Sequence, residues 1–237
     1  MNKLSSIRFE LVPCLDLGAA PQAAMFSLLS RHFVGVTPEQ FDRDLKEKSL
    51  ALLLHQGGTL VGFSTLLAYS TTFAGATVNV IYSGDTIVAP EAWGSTALPR
   101  AWVAGVHRLH ASLPPGPCFW LLLTSGFRTY RFLPVFWKKF FPRYDAVTPP
   151  DMQRLLDQLA RERFGAQFAA GSGVVRFHAP QRLRAGLQEI PAGRDQNSHV
   201  AFFLSRNPGH AQGDELVCLT ELGADNLTRA GQRMMKP

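Results

Sequence analysis

Apolar and polar positions follow two different periods along the first part of the chain. Apolar residues recur at helical spacing in segment 21–33, and Thr37-Pro38-Glu39-Gln40 offers an N-cap, a first-turn proline and a capping-box glutamine. Ser49–His55 and Leu60–Ala68 are instead apolar runs of strand length, separated by Gln56-Gly57-Gly58-Thr59. The pattern predicts two helices, at 21–33 and 38–48, followed by a β-hairpin.

A longer β-rich run, Gly75–Ala89, comes next, and its interior glycine predicts a bend or bulge at Ser83-Gly84. After a turn at 93–96, a helix is predicted over 97–113, ended by four consecutive proline or glycine residues at 114–117. Such a strand, turn and helix leave backbone N–H groups unpaired at the positive end of the helix. This geometry suits an anion, typically a phosphate or pyrophosphate.

The second part of the chain predicts further alternation of strands and helices. Cys118–Thr124 has the continuous apolar character of a central strand, and 127–141 predicts an aromatic, basic helix interrupted by Pro134. A helix is predicted at Asp151–Arg163, a short strand at 174–177, and a polar loop at 181–198. His199–Leu204 and Glu215–Thr220 predict a terminal β-hairpin. This order indicates an α/β (α+β mixed) class with a mixed sheet, in one domain spanning 1–237.

Composition and charge narrow the class of protein. Apolar residues make up 46% and charged residues 18%, which is typical of a globular protein and argues against disorder. No apolar run approaches the ~20 residues of a membrane span, and the N-terminus lacks a signal-peptide core, so a cytoplasmic location is expected. Three scattered cysteines suit neither a disulfide framework nor a zinc site. The net charge of +6 arises entirely from residues 119–237, which favours an anionic partner or a solvated basic face.

The order of elements resembles that of the GNAT superfamily of acyl-CoA-dependent N-acyltransferases over roughly Met25–Tyr144. In that superfamily two helices precede a hairpin, and a fourth strand then ends in a phosphate-binding turn and helix. A fifth strand and a further helix follow. The resemblance implies a GNAT-like central, mostly antiparallel sheet flanked by helices, with the C-terminal hairpin completing it and a C-terminal extension at 165–237.

The superfamily's turn has the pattern V-x-P-x-x-R/Q-G-x-G-x-G/A, which falls on Val88–Leu98. Val88, Pro90 and Gly94 match, whereas Trp93 replaces the Arg or Gln, and Thr96 and Leu98 replace small residues. The resemblance implies an acyl-CoA or acyl-carrier thioester as co-substrate, with no metal. The implied contacts are with the pantetheine at Ile87 and Val88, and with the phosphates at Gly94, Ser95, Thr96 and Ala97. Trp93 is a further candidate for contact with the co-substrate.

Acyl transfer to an amine also needs a base and a proton donor. The tyrosine that many GNAT enzymes use as the donor falls on Phe136, so Tyr130 is the nearest phenol. Asp85 lies in an otherwise apolar run, where a carboxylate is costly unless it has a partner or a function. Asp85 and Glu91 are therefore the candidate carboxylates. The alternatives are that Asp85 caps the bulge at Gly84 and that Glu91 is a solvated loop residue.

Two further features carry less specific signals. His107 and His110 share a helix face, but no third ligand is evident nearby, so no metal is expected. Segment 127–144 has five basic residues, no acid and many aromatics. Its aromatics predict packing against the sheet, a wall for an apolar acyl chain, or a peripheral membrane-surface patch. No recognised nucleic-acid module is present, so no nucleic-acid partner is expected.

These observations predict an acyltransferase that moves an acyl group from CoA or an acyl-carrier protein to a small-molecule amine. The alternative is a non-catalytic protein of the same fold that recognises an anionic ligand or partner through the altered turn and the basic face. The sequence leaves the oligomeric state open.

Overall fold

The computed structural model describes residues 7–235. Eight helices occur in this range, beside short 3-10 turns: α1 Ala19–His32, α2 Pro38–Lys46, α3 Ala97–Ala111, α4 Phe127–Tyr130, α5 Phe132–Phe136, α6 Pro150–Phe164, α7 Ser198–Arg206 and α8 Arg229–Met234. The strands in the same range are β1 Arg8–Pro13, β2 Phe33–Val34, β3 Leu50–Gln56, β4 Thr59–Phe73, β5 Ala76–Val88, β6 Cys118–Thr124, β7 Phe168–Ala169, β8 Val174–Val175, β9 Arg182–Leu183 and β10 Glu215–Glu221.

Eight of these strands form one sheet in the order β1-β3-β4-β5-β6-β10-β8-β7. Every neighbouring pair in that order is antiparallel except β5 and β6, which run parallel. The connection between these two contains α3, as a parallel pair requires a crossover. The expected mixed, mostly antiparallel sheet flanked by helices is therefore confirmed.

The two faces of the sheet pack against different helices. Strand β6 is covered on both faces, which explains why its sequence is apolar throughout. Trp120 and Leu122 belong to the core that includes α1 and α3, whereas Leu121 and Leu123 belong to a second core built around α6. Successive side chains of a strand point to opposite faces, so a strand covered on both faces has no polar side.

Local sequence signals account for the first helices and the hairpin. The Thr37 side chain accepts a hydrogen bond of 3.2 Å from the Gln40 N–H, which caps α2 as predicted. Gly57 and Gly58 both have positive φ, at 58° and 83°, which is the backbone that a tight two-residue hairpin turn requires. The β3–β4 hairpin and its register follow from this turn.

The predicted helix at 127–141 is wrong beyond Phe136. The chain forms α4 and α5 and then becomes extended at Trp137. From there its backbone donates to the C-terminal part of the chain, Lys138 N–H to Asn226 O and Phe141 N–H to Leu219 O. These bonds, with the burial of Trp137 and Phe140, replace the helical hydrogen bonds that further turns would have formed.

The predicted terminal hairpin at 199–220 is also wrong. Its first segment is helix α7, capped by the Asn197 side chain, which accepts from the N–H groups of His199 and Val200. Val200 and Phe203 are buried at helical spacing. Its second segment, β10, pairs instead with β6 on one side and β8 on the other. The C-terminal segment thus contributes a central strand rather than a hairpin.

Candidate functional site

The sheet divides where the two parallel strands end. β5 and β6 pair from Asn79↔Cys118 to Ser83↔Leu122. Beyond this point β5 remains paired only with β4, through Thr86, Ile87 and Val88, and the end of β6 remains paired only with β10. The gap between them, here called the wedge, opens into a cavity of about 850 Å³. Ligands of α/β proteins commonly bind at such a divergence beyond the carboxyl ends of parallel strands.

A β-bulge lies at the apex of the wedge, where the two strands begin to separate. Between the pairs Ser64↔Thr86 and Leu66↔Ser83, β5 places Gly84 and Asp85 opposite the single residue Thr65. A Cβ on Gly84 would lie 2.6 Å from both Thr65 Oγ1 and Lys48 Cε, so only glycine fits there. The bend expected at Ser83-Gly84 is confirmed, and it directs Asp85 into the cavity lining.

One wall of the cavity carries charge. Its titratable side chains are Asp44, Glu47, Lys48, Tyr82, Asp85, Arg163 and Glu215. Arg163 forms an ion pair with Glu47, and its guanidinium lies 5.1 Å from the centre of the Tyr82 ring. Apart from this ion pair, the wall has the carboxyl groups of Asp44, Asp85 and Glu215 and one basic side chain, that of Lys48.

Two of these carboxyl groups have strongly altered proton affinities. Burial raises the pKa of Asp85 to about 6, an effect that the positive charge of Lys48 partly offsets. Burial raises the pKa of Glu215 to about 8, and the negative charge of Asp85 adds to that rise. Near neutral pH, Asp85 is therefore ionised while Glu215 keeps its proton.

The opposite wall is apolar and aromatic. Trp102 of α3 and Trp120 of β6 have ring centroids 4.0 Å apart, and the Trp120 indole donates to Ser83 Oγ at 2.9 Å. The remaining apolar side chains of this wall come from α3, β6, α4 and α5: Leu98, Leu122, Phe127 and Phe132. The wedge thus joins an apolar space to a charged one.

In the turn expected to bind phosphates, some of the backbone N–H groups form hydrogen bonds within the turn itself. The Ser95 N–H donates to Ala92 O at 3.0 Å, and the Ala97 N–H donates to Ser95 Oγ at 3.0 Å. The N–H groups of Gly94 and Thr96 have no partner among residues 7–235. Pro99 in the first turn of α3 has no N–H to offer. Two of the four predicted donors are therefore free.

Trp93 closes the edge of the wedge next to this turn. Its indole donates to Val88 O at 2.7 Å, and the Arg128 guanidinium lies 4.2 Å from the indole ring centre. Arg128 also donates to Leu187 O at 3.0 Å. The replacement of Arg or Gln by Trp93 thus places a stacked indole and guanidinium at the cavity mouth.

The structure brings together half of the residues predicted from the sequence. Asp85, Ile87, Val88, Trp93 and Ser95 line the cavity. Gly94, Thr96 and Ala97 form the turn beside it without lining it, and Glu91 is exposed on the 3-10 turn before it. Tyr130 is fully buried away from the cavity, where its hydroxyl donates to Pro142 O at 3.0 Å.

Sequence reasoning missed the residues that surround Asp85. Lys48 follows two charged residues at the end of α2 and has the pattern of a solvated helix terminus. Glu215 was placed at the start of a hairpin strand, whereas it begins β10 at the end where that strand pairs with β8. The one available signal was the position of Asp85 itself, which requires partners for a buried carboxylate.

The other sequence features have simpler explanations. In segment 127–144 the aromatic residues Phe127, Tyr130, Phe136, Trp137 and Phe140 are all buried, which supports the packing interpretation. Between residues 7 and 235, His, Cys, Asp and Glu side chains form no group of three or more able to hold a metal ion. None of the helices in that range combines the length and apolar character needed to cross a membrane.

Comparisons with known proteins find similarity among solved structures. No protein-family model and no curated protein matches the sequence. Among solved structures the chain is similar to Escherichia coli ElaA, with 14% identity and a TM-score of 0.40 over 61% of this chain and 95% of that one. An Enterococcus faecalis protein described as a probable N-acyltransferase shows 12% identity and a TM-score of 0.43, covering 91% of this chain and 66% of that one.

A third similar structure is a GNAT family N-acetyltransferase of Escherichia coli in complex with CoA. It shows 17% identity and a TM-score of 0.39 over 54% of this chain and 67% of that one. The fold of this chain is described by its own strand order, in which the parallel strands β5 and β6 separate at the wedge.

Proposed function

We propose that the chain is a divergent GNAT-type acyltransferase that moves an acyl group from a thioester to a small-molecule amine. The observation that carries the proposal is the wedge, where the parallel strands separate after Ser83↔Leu122 and Asp85 enters the cavity. The thioester arm occupies the wedge, and the amine approaches from the charged wall.

The edge of β5 offers hydrogen bonds to such an arm. The Ala89 N–H donates to Val61 O of β4, so by alternation the backbone groups of Thr86 and Val88 face the wedge. An amide-containing arm pairs with a free strand edge as an added strand does. Trp93 already occupies Val88 O, so the arm uses the remaining groups of this edge.

The two perturbed carboxyls supply the proton transfers. Ionised Asp85 takes a proton from the incoming ammonium, and the free amine attacks the thioester carbonyl carbon. The tetrahedral intermediate collapses with cleavage of the C–S bond, and the leaving thiolate takes the proton of Glu215. The second nitrogen proton is released from the product amide and restores Glu215, and Asp85 releases to solvent the proton that it took. Two carboxyls with separated pKa values are a common basis for such a division of roles.

Binding calorimetry with CoA, acetyl-CoA and an acylated acyl-carrier protein tests the proposal. Binding of at least one of these thiol carriers, with release of free thiol on addition of an amine, is expected. The comparison of CoA with the carrier protein also identifies the donor. If none of the three binds, the thioester interpretation fails.

A second candidate is a non-catalytic binding protein of the same fold. It is favoured by the turn, where the Ser95 and Ala97 N–H groups are already engaged and Pro99 offers none. This candidate would be supported over the enzyme if the chain binds a thiol carrier but releases no thiol with any amine of a panel of primary amines. The natural chain and Asp85→Asn would then give the same result. A cytoplasmic location remains part of either proposal.

A further inference from the structure

The cavity contains an amine of its own. Lys48 is 9% exposed, and its Nζ donates to Asp44 O at 3.0 Å while lying 5.5 Å from the centre of the Tyr82 ring. Lysine is almost never buried to this extent without a specific environment. Lys48 also lines the cavity in which the proposed acceptor amine is placed.

The fold makes room for this side chain at the bulge. Lys48 Cε lies 2.6 Å and Nζ 3.4 Å from the position that a Cβ on Gly84 would occupy. Gly84 is the first residue of β5 beyond the last pair with β6. The Lys48 stem therefore crosses the backbone at the apex of the wedge, next to Asp85.

The burial of Nζ lowers its affinity for a proton. Burial lowers the pKa of Lys48, and Arg163 lowers it further. Asp44, Asp85 and Glu47 act in the opposite direction and partly restore it. Desolvation and a neighbouring cation, here Arg163, are common means of producing a nucleophilic lysine amine.

We propose that Lys48 is a self-acylation site, at which the chain transfers the acyl group of a wedge-bound thioester to its own Nζ. The inference rests on the proposed function, because the wedge must bind a thioester. Asp85 takes a proton from the Lys48 ammonium, and Nζ attacks the thioester carbonyl carbon. A C–N bond forms, the C–S bond breaks, and the leaving thiolate takes the second proton that Nζ loses. The products are an acyl-lysine amide and the free thiol.

Self-acylation has a consequence for the site. It removes the cation that opposes the desolvation of Asp85, so the pKa of Asp85 rises further. It also places an acyl group at the apex of the wedge. Both effects reduce transfer to an external amine, so an acylated Lys48 acts as a brake when donor accumulates without acceptor.

Mass spectrometry of the folded chain tests the proposal directly. The chain is incubated with acetyl-CoA or octanoyl-CoA without an added amine and then digested and mapped. Lys46 is the matched control, because it lies two residues away and is exposed, as are Lys138 and Lys139. Acylation of Lys48 about tenfold or more faster than of Lys46 is expected, because a bound donor gives a high effective concentration.

The experiment distinguishes failure of self-acylation from failure of the proposed acyltransferase function. Donor binding is measured in parallel by calorimetry on the same preparation. Absence of binding overturns the proposed function. Binding with release of thiol to an amine, but with Lys48 unmodified or modified no faster than Lys46, overturns self-acylation alone.

Variants provide the remaining controls. Asp85→Asn is expected to slow acylation of Lys48 and leave that of Lys46 unchanged. Lys48→Arg is expected to remove the modified peptide, with a melting curve to confirm folding. If heat-denatured chain acylates Lys48 as fast as folded chain does, the reaction is non-specific and the proposal is wrong.

Discussion

The apex of the wedge and the 93–97 turn are neighbouring parts of one cavity, but they differ in how completely their polar groups are used. At the apex, Asp85 and Glu215 are desolvated and retain unusual proton affinities. At the turn, the Ser95 and Ala97 N–H groups are satisfied internally, and Trp93 occupies Val88 O. The carboxyl groups at the apex are thus available for proton transfer, whereas two of the four N–H groups of residues 94–97 are already engaged within the turn.

Under the proposed function, this difference affects the two tasks of the site unequally. Recognition of a pyrophosphate depends on several backbone donors pointing at one anion. Proton transfer depends on carboxyls held in a desolvated cavity. The chain retains the second arrangement more fully than the first, so substitutions at the apex are expected to have larger effects than substitutions in the turn.

The largest effect is expected from Asp85→Asn. Removing a general base typically lowers turnover by about 10²–10⁴-fold. Because the amide keeps the shape of the side chain, affinity for the thiol carrier should change little. Steady-state kinetics with thiol release as the readout, together with calorimetry, measure the two quantities.

Asp42→Asn is the matched control for Asp85→Asn, because Asp42 is an exposed carboxylate on α2 near the charged wall. It should leave turnover unchanged. An equal loss in both variants would show that general electrostatics, rather than the position of Asp85, sets the rate.

Gly84→Ala is expected to destabilise the fold by about 1–3 kcal/mol, because an added methyl group would overpack a closed site. The new Cβ would lie 2.6 Å from Thr65 Oγ1, and Thr65 is buried. Gly94→Ala in the turn is the matched control, since a Cβ there has no neighbour within 4 Å. Denaturant unfolding of both variants measures the difference. Equal stabilities would show that the bulge is loosely packed.

The pH dependence of turnover is expected to be bell-shaped. Activity rises with pH through about 6 as Asp85 loses its proton, and falls above about 8 as Glu215 loses its own. Each limb changes the rate by at most about tenfold per pH unit. Glu215→Gln should remove the alkaline limb and keep the acid limb. An unchanged alkaline limb in this variant would exclude Glu215 as the proton donor.

These two groups also link stability to pH. Both carboxyls have a higher pKa in the folded chain than in the unfolded chain, so their neutral forms stabilise the fold at low pH. That contribution is lost as the pH rises through about 6 for Asp85 and about 8 for Glu215. The profile should therefore be measured where melting curves show the chain folded.

The sequence predicted the elements that have local causes. The Thr37 cap, the Gly57-Gly58 turn and the bulge at Gly84 each depend on a few adjacent residues. Asp85 could also be identified from local sequence, because a carboxylate in an apolar strand is unusual whatever its neighbours in space are. Local signals thus located helix α2, the β3–β4 hairpin, the bulge of β5 and one residue of the candidate site.

The rest depends on contacts between distant residues. The apolar content of 199–204 is compatible with a helix or a strand. The Asn197 cap is the local feature that favours helix α7. Glu215 comes near Asp85 because β10 pairs with β6, a pairing across more than ninety residues that no local pattern contains. Tyr130 was favoured because it was the nearest phenol in sequence, but the end of α4 buries it against Phe140 and Phe203.

The smallest effect is expected from Ser95→Ala, which addresses the turn directly. The substitution frees the Ala97 N–H, which Ser95 Oγ now occupies at 3.0 Å. If carrier phosphates bind the turn, the freed donor should raise affinity about two- to tenfold, since a net hydrogen bond contributes about 0.5–1.5 kcal/mol. Ser112→Ala at the other end of α3, where the hydroxyl donates to Leu109 O, is the control and should leave affinity unchanged. An affinity that does not change in Ser95→Ala would mean that the carrier is held at the wedge alone, whereas a lower affinity would show that the turn binds phosphate in its present, internally bonded form.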